Sequence, residues 1–288
     1  MTTVLYEVPG PKARRLARIV GVIVGVVILG ALAWVVVTLA MPRTTAGGSV
    51  QPGLFDISRW DIFNDRAVWR SVGDGVLGTL RMAAVAAVGA VTIGILFSFG
   101  RTARTAWVRV PVTIILEFVR GMPVLLMMLF ILLIFATGAY WAGVIALALY
   151  NGAIIGEALR AGIASLPKGQ RESGLAIGMT PLQTRLSIEF PQAFRQMLPI
   201  IIAQLVVLLK DTSLAYIIGY PELLRKVAVQ MPNFFGNRYF FTFFFLALVI
   251  YLAMNLTLSW IARIIARRTA GGYVRGAGRR RRKAAAPR

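Results

Sequence analysis

The sequence predicts an all-α polytopic membrane protein with six spans and both termini cytoplasmic, and three observations carry that prediction. Of its 288 residues, 58% are hydrophobic, and the mean hydropathy is +0.73, against about 45–50% apolar residues in a soluble domain. Residues 19–42, 82–100, 121–156 and 239–262 contain no Asp, Glu, Lys or Arg, and a helix needs about 20 apolar residues to cross a bilayer. The third observation is where the charge sits. With spans at about 19–41, 76–99, 112–136, 139–162, 196–217 and 239–262, Lys and Arg number four before the first span, three in 101–109, four in 164–195 and ten after the last. All of these fall on one side, and the positive-inside rule makes that side the cytoplasm. A soluble enzyme is excluded.

Residues 1–18 form a short basic lead. The first apolar run exceeds the roughly 7–15 residues of a signal-peptide core and is taken as a retained anchor. Residues 19–74 are thus an additional span and its extracytoplasmic linker. In that linker "TTAGGSVQPG" (44–53) has the composition of a flexible connection. "LFDISRWDIFNDRAVWR" (54–70) mixes aromatics with balanced charge, as a helix lying at the membrane surface does. It is read as an aromatic belt or as a contact for an external partner.

The second span, "GVLGTLRMAAVAAVGAVTIG", is rich in Gly and Ala, which lets helices approach closely in lipid and places it inside a bundle. The long run 121–156 holds most of two spans, broken at "ATGAYW" (136–141). Residues 266–288 are a basic tail. A net charge of +21 invites nucleic acid, but "RRRRKAAAPR" is read as holding anionic lipid or as disordered, and no nucleic-acid partner is expected. With no Cys and no His, disulfides, thiolate metal sites and the commonest metal ligand are ruled out, so no metal or catalytic residue is assigned. No phosphate-cradling GxxxxGK[ST] occurs.

Between the fourth and fifth spans the chain stays in water over 164–192. Local rules make 165–191 a pair of short helices. Ser165 and Pro167 suit a helix start, and Gly178 suits its end. "TPLQ" then supplies Thr180 as cap, Pro181 at the first helical position and Gln183 for a capping box. Pro191 is expected to break the chain before the next span. Gly174 and Gly178, four apart, are placed on one helical face, where another backbone comes close. Lys168, Arg171 and Glu172 edge that segment with charge. A protein-docking surface and an amphipathic loop on lipid headgroups both fit.

This segment resembles the EAA loop of ATP-binding-cassette importer permeases, in which Glu-Ala-Ala, three residues, Gly, nine residues and Ile-x-Leu-Pro follow in order. Here Glu172, Ser173 and Gly174 open the motif, Gly178 stands at the family spacing, and Ile188, Glu189, Phe190 and Pro191 close it. Ser-Gly replaces Ala-Ala, and Phe replaces Leu. "GVLGTL" (75–80), "EFVRGMPVLLMMLF" (117–130), "GEALRAGIASLPKGQRE" (156–172) and "LLKDTSLAYIIGYPEL" (208–223) are similar to words of the family's polar amino acid branch. The "PGPKARR" lead and "RWDIF" look most like glutamate-system permeases of actinobacteria. The resemblance implies a type I importer permease fold over 75–265: five core helices, with the first span added. It also implies a second permease subunit, identical or homologous, a cytoplasmic ATPase pair that binds ATP and Mg, and an external amino acid binding protein. No cofactor is bound by this chain. The residues it assigns to ATPase coupling are Lys168, Arg171, Glu172, Ser173, Gly174, Gly178, Ile188 and Pro191.

Charged residues within spans are expensive, which makes each a functional candidate. Glu117 and Arg120, and Glu157 and Arg160, each lie three apart and are read as pairs or as lining the substrate path. Pro123 is expected to bend the third span. Asn151, Gly152 and Gly156 permit close packing. Lys210 and Asp211, followed by Thr212 and Ser213, come after fourteen uncharged residues and are read as lining a polar cavity. The substrate-path candidates are therefore Arg120, Asn151, Glu157, Lys210, Asp211, Thr212 and Ser213. Met127 and Met128 are read as packing. The predicted function is the permease subunit of an ATP-driven importer of polar amino acids, with glutamate as cargo. The rival is an ion-gradient-driven carrier or channel, for which an inverted repeat would speak; none is found.

Overall fold

The computed structural model describes residues 10–44, 48 and 50–284, with side chains described as far as residue 265. The start of the basic lead, part of the 44–53 connection and the side chains of the Arg-rich tail lie outside the described residues. The chain divides into two units, Met1–Asp65 and Arg66–Arg288.

In the first unit, α1 (Pro11–Ala40) starts on a proline whose missing N–H costs nothing at that position, and none of its side chains is buried. The connection expected to be flexible instead forms a small antiparallel ladder of β1 (Arg43–Thr44) and β2 (Val50–Gln51). The continuous surface helix expected over 54–70 does not form either, since only residues 66–70 are α-helical, as the start of the next long helix. Before it stand two 3-10 turns, Ile57–Arg59 and Asp61–Asn64. Asp56 caps the first by accepting from the Ser58 N–H at 2.9 Å. The Arg59 side chain is tied back to the Pro52 carbonyl at 2.7 Å. These local bonds compete successfully with a continuous helix.

The second unit begins with α2 (Arg66–Arg101). It lies along α5 (Gly138–Ala164), and their contacts rise together in sequence, so the two run parallel. The reason they meet so closely is the small residues foreseen in α2. Its buried stripe includes Ala83, Ala86, Ala90 and Gly94. A Cβ on Gly94 would lie 2.6 Å from Ile155, and one on Gly156 would lie 3.0 Å from the Gly94 carbonyl oxygen. Gly152 approaches the Ala90 carbonyl oxygen in the same way, also at 3.0 Å. Dispersion contacts of this density substitute for the hydrophobic drive that lipid does not provide.

Where the sequence predicted one bent span over 112–136, there are two helices. α3 (Ala106–Gly121) and α4 (Val124–Phe135) meet at 108°. Met122 and Pro123 are both extended, with ψ near 130°. The residue before a proline is pushed out of the helical region, so the helix stops rather than kinks. Ala136, at φ 48°, and Gly138, at φ 76°, make the expected break before α5.

After α5 come α6 (Lys168–Ala176), α7 (Pro181–Thr184), a π-helical turn (Arg185–Glu189) and α8 (Phe190–Asp211), which tightens to 3-10 over Thr212–Tyr216. Pro191 does not break the chain: the helix runs from Pro181 to Tyr216. The Phe190 N–H reaches back five residues to the Arg185 carbonyl. That wide turn opens the ladder just where proline has no N–H to give. A second π-helical turn (Leu224–Gln230) and α9 (Met231–Phe235) lead to α10 (Phe240–Ala284). Counting the bent pair as one, six segments among the described residues are long and apolar enough to cross a membrane. The core gathers Met82, Leu116, Met128, Leu147, Ile155 and Leu208, and Met127 and Met128 are indeed packing residues.

Candidate functional site

The hairpin between α5 and α8 is built by strong local signals. α6 ends in a Schellman turn. The Met179 N–H bonds the Gly174 carbonyl and the Gly178 N–H bonds that of Leu175, both at 3.1 Å. Gly178 sits at φ 84°, a conformation costly for any residue with a Cβ. The capping box forms as expected: Thr180 accepts from the Gln183 N–H, and the Gln183 side chain accepts from the Thr180 N–H at 2.8 Å.

The two glycines do not share a helical face, because Gly178 lies beyond the helix end with nothing near its would-be Cβ. Gly174 does make a close approach, but inside the hairpin: a Cβ there would meet Thr184 at 2.7 Å and Ile188 at 2.9 Å. So Gly174 and Ile188 lock the two arms together. Lys168, Arg171, Glu172, Ser173 and Pro191 are exposed. The tip carries apolar side chains that sequence reasoning passed over. Ile177 is 77% exposed and Leu182 62% exposed, and Leu175 and Leu186 are exposed beside them. Such a cluster on a charged hairpin marks a contact surface.

The paired charges of α3 and α5 form one network. Arg120 pairs with Glu117 at 3.5 Å and Arg160 with Glu157 at 2.6 Å, as the spacing predicted. Arg101, at the end of α2, joins the pairs, reaching Glu157 at 2.6 Å and Glu117 at 3.0 Å. Sequence reasoning had counted Arg101 among loop charges; its place as the first cation after a long uncharged run was the available signal.

The remaining candidates lie apart from this network. Asn151 is buried and receives a hydrogen bond from Gln204 on α8 at 2.8 Å. Thr212 is buried and its hydroxyl bonds back to the Leu209 carbonyl; Ser213 does the same to Lys210. Both hydroxyls thus bond back to the helix end. Among the described residues Lys210 and Asp211 make no side-chain hydrogen bond or ion pair, and Lys210 is exposed. Two groups near that end went unforeseen. Arg81 lies over the Tyr140 ring, 5.3 Å from its centroid. Glu222, fully buried, accepts from Tyr251 and from the N–H groups of Leu224 and Arg225 at 2.9 and 2.7 Å. Burial raises its carboxyl above the usual glutamate range, opposed by those same hydrogen bonds. Among the described residues, no cluster of acidic side chains could hold a metal.

Comparison with known proteins gives this architecture its family. The family described as binding-protein-dependent transport system inner membrane component matches residues 90–271. The glutamate transport system permease protein GluD of Corynebacterium glutamicum is 36% identical over 232 residues, covering 77% of this chain and 84% of its own. The glutamine transport system permease protein GlnP of Escherichia coli is 31% identical over 217 residues, 72% of this chain and 97% of its own. A crystal structure of an amino acid ABC transporter with histidines superposes with TM-score 0.64 at 26% identity, covering 72% of this chain and 98% of that one. An inward-facing MetNI methionine ABC transporter shares the fold, with TM-score 0.60 at 18% identity over 71% of this chain and 99% of that one.

The helix bundle with its protruding hairpin is thus an integral-membrane permease of type I fold. The chain belongs to the family of binding-protein-dependent transport system inner membrane components. It is a permease subunit rather than an enzyme, and in such systems ATP hydrolysis is carried out by a separate subunit.

Proposed function

We propose that the chain imports polar amino acids, with glutamate as its cargo, as one half of a permease pair driven by a cytoplasmic ATPase dimer and fed by an external binding protein. The carrying observation is the hairpin: a rigid, doubly capped element, apolar at its tip, on the side where basic residues concentrate. That charge bias supports cytoplasmic termini and a cytoplasmic hairpin. The hairpin's tip would seat in the ATPase, with Lys168, Arg171, Glu172 and Ser173 around it and Gly174, Gly178, Ile188 and Pro191 fixing its shape. ATP and Mg belong to that partner.

Closure of the ATPase dimer would push the hairpin, and through it α5 and α8, so that the bundle opens outward to receive cargo. Along the path, Lys210 and Asp211 are the strongest candidates for cargo contact, being charged and uncommitted at the end of a long apolar helix, Lys210 exposed and Asp211 half-buried. Arg120 and Glu157 sit in the ion network, and Asn151 braces α5 against α8. The GluD match supports glutamate, and the GlnP match supports the wider class.

Uptake of radiolabelled glutamate into proteoliposomes tests this. It should require the ATPase, ATP and the binding protein together, and excess glutamate should compete better than glutamine. Uptake by this chain alone under an ion gradient would overturn the reading, and preference for glutamine would overturn the cargo.

A further inference from the structure

At the root of the hairpin, with Leu175 of the apolar cluster at its edge, lies a cleft of about 470 Å³ between the end of α5, the start of α6 and the π-helical turn. Four cations line it, Arg160, Lys168, Arg171 and Arg185, against two carboxylates, Glu172 and Glu189. Their partners are unevenly supplied. Arg160 is held by Glu157 at 2.6 Å. Arg185 donates one N–H to the Thr102 carbonyl at 2.9 Å. Its Nε is buried without a hydrogen-bond partner, and Glu189 stands off at 3.8 Å. Burial weighs most on its charge, Glu189 is the leading counter-charge, and Arg171 and Arg104 set weaker like charge against it. Lys168 and Arg171 form no side-chain hydrogen bond or ion pair among the described residues.

A guanidinium N–H sealed from water with no acceptor is costly, and converging like charges add to the cost. An anion in the cleft would leave that buried Nε untouched, but it would meet the exposed Lys168 and Arg171 and offset the like charge that Arg171 sets against Arg185. The donors come from different directions, as forks and an ammonium, which suits the several oxygens of a phosphate better than a single planar carboxylate. The uncapped first turn of α6, with no acidic residue in it, adds a favourable dipole.

We propose that this cleft binds a phosphate-bearing anion, bridging the hairpin to the end of α5. The phosphate comes either from an anionic lipid headgroup or from a soluble phosphate.

Native mass spectrometry of the full chain in detergent, titrated separately with phosphatidylglycerol and inorganic phosphate, distinguishes the sources. The Arg-rich tail adds the same background to every variant, so the readout is the difference between them. R171Q and R185Q should each weaken binding about fivefold, the factor corresponding to roughly 1 kcal/mol for one basic residue at a headgroup. R185K should restore most of it. Phosphatidylglycerol retention that phosphate does not displace assigns the site to lipid; displacement assigns it to a soluble phosphate. Arg171 is exposed and makes no bond that folding needs, so R171Q remains informative if R185Q misfolds. Equal binding of both probes by wild type and R171Q overturns the proposal. Lys168, Arg171 and Glu172 also edge the proposed ATPase contact, so docking is scored separately with Ile177→Asp at the tip, a residue outside the cleft, and either idea can fail alone.

Discussion

Gln204 on α8 donates to the Asn151 side chain on α5 at 2.8 Å, well inside the bundle. The Asn151 amide in turn donates to the Leu147 carbonyl. Leucine at either position strands the partner. Asn151→Leu and Gln204→Leu should each lower stability by about 1 kcal/mol, and the double variant by less than the sum. Thermal unfolding in detergent reads this. Lost uptake with unchanged melting would instead make Asn151 a cargo contact.

Arg101 serves two carboxylates at once. R101Q leaves Glu117 and Glu157 sharing only Arg120 and Arg160, and should cost about 1 kcal/mol, since the site is partly exposed. Exchanging the charges, Arg101→Glu with Glu157→Arg, should recover less than a simple pair would, because Glu117 and Arg160 then face like charge. A double-mutant cycle on melting temperature measures the coupling.

The two hairpin glycines should fail differently. Gly178→Val forces a β-branched residue to φ 84°, unwinding the turn at a cost of about 1–2 kcal/mol. Gly174→Leu keeps the turn but drives the arms apart against Thr184 and Ile188. Both should uncouple ATP hydrolysis from transport; hydrogen exchange at 174–184 should rise sharply in the first and in the second extend along α8.

Ile177→Asp places a charge on the apolar tip without touching the fold. ATPase co-purification should be lost while melting stays unchanged. Retained association would move the docking surface elsewhere.

Glu222 gives a pH test. Its folded carboxyl titrates above its unfolded value because burial outweighs the bonds from Tyr251, Leu224 and Arg225 and the charge of Arg225. The folded state therefore holds the proton longer. This contribution is full below the ordinary glutamate range and is lost as pH rises through the raised value. Melting temperature should fall across that window, and Glu222→Gln should flatten the profile.

Much of this was legible in the sequence because it is local. Span positions follow from uncharged run lengths, and the capping box at Thr180 and Gln183 and the stop at Gly178 are set by neighbours in the chain. Short-range rules failed where geometry is cooperative. Pro123 announced a disturbance, but run length could not tell a kink from a 108° elbow. Pro191 looked like a break because the π-helical turn before it has no composition of its own. Partners far apart in sequence were invisible: Arg101 and Glu157 are 56 residues apart, and Glu222 and Tyr251 are 29. The Gly174 signal was real, but the surface it fits is its own second arm.

The glycine seam between α2 and α5 has a mechanical meaning. Backbones this close cannot slide past one another without collision, so the pair behaves as a single beam. In the proposed transport cycle the candidate joints are the elbow between α3 and α4 and the wide turn that launches α8. A push delivered to α5 through the hairpin would carry α2 with it across the seam.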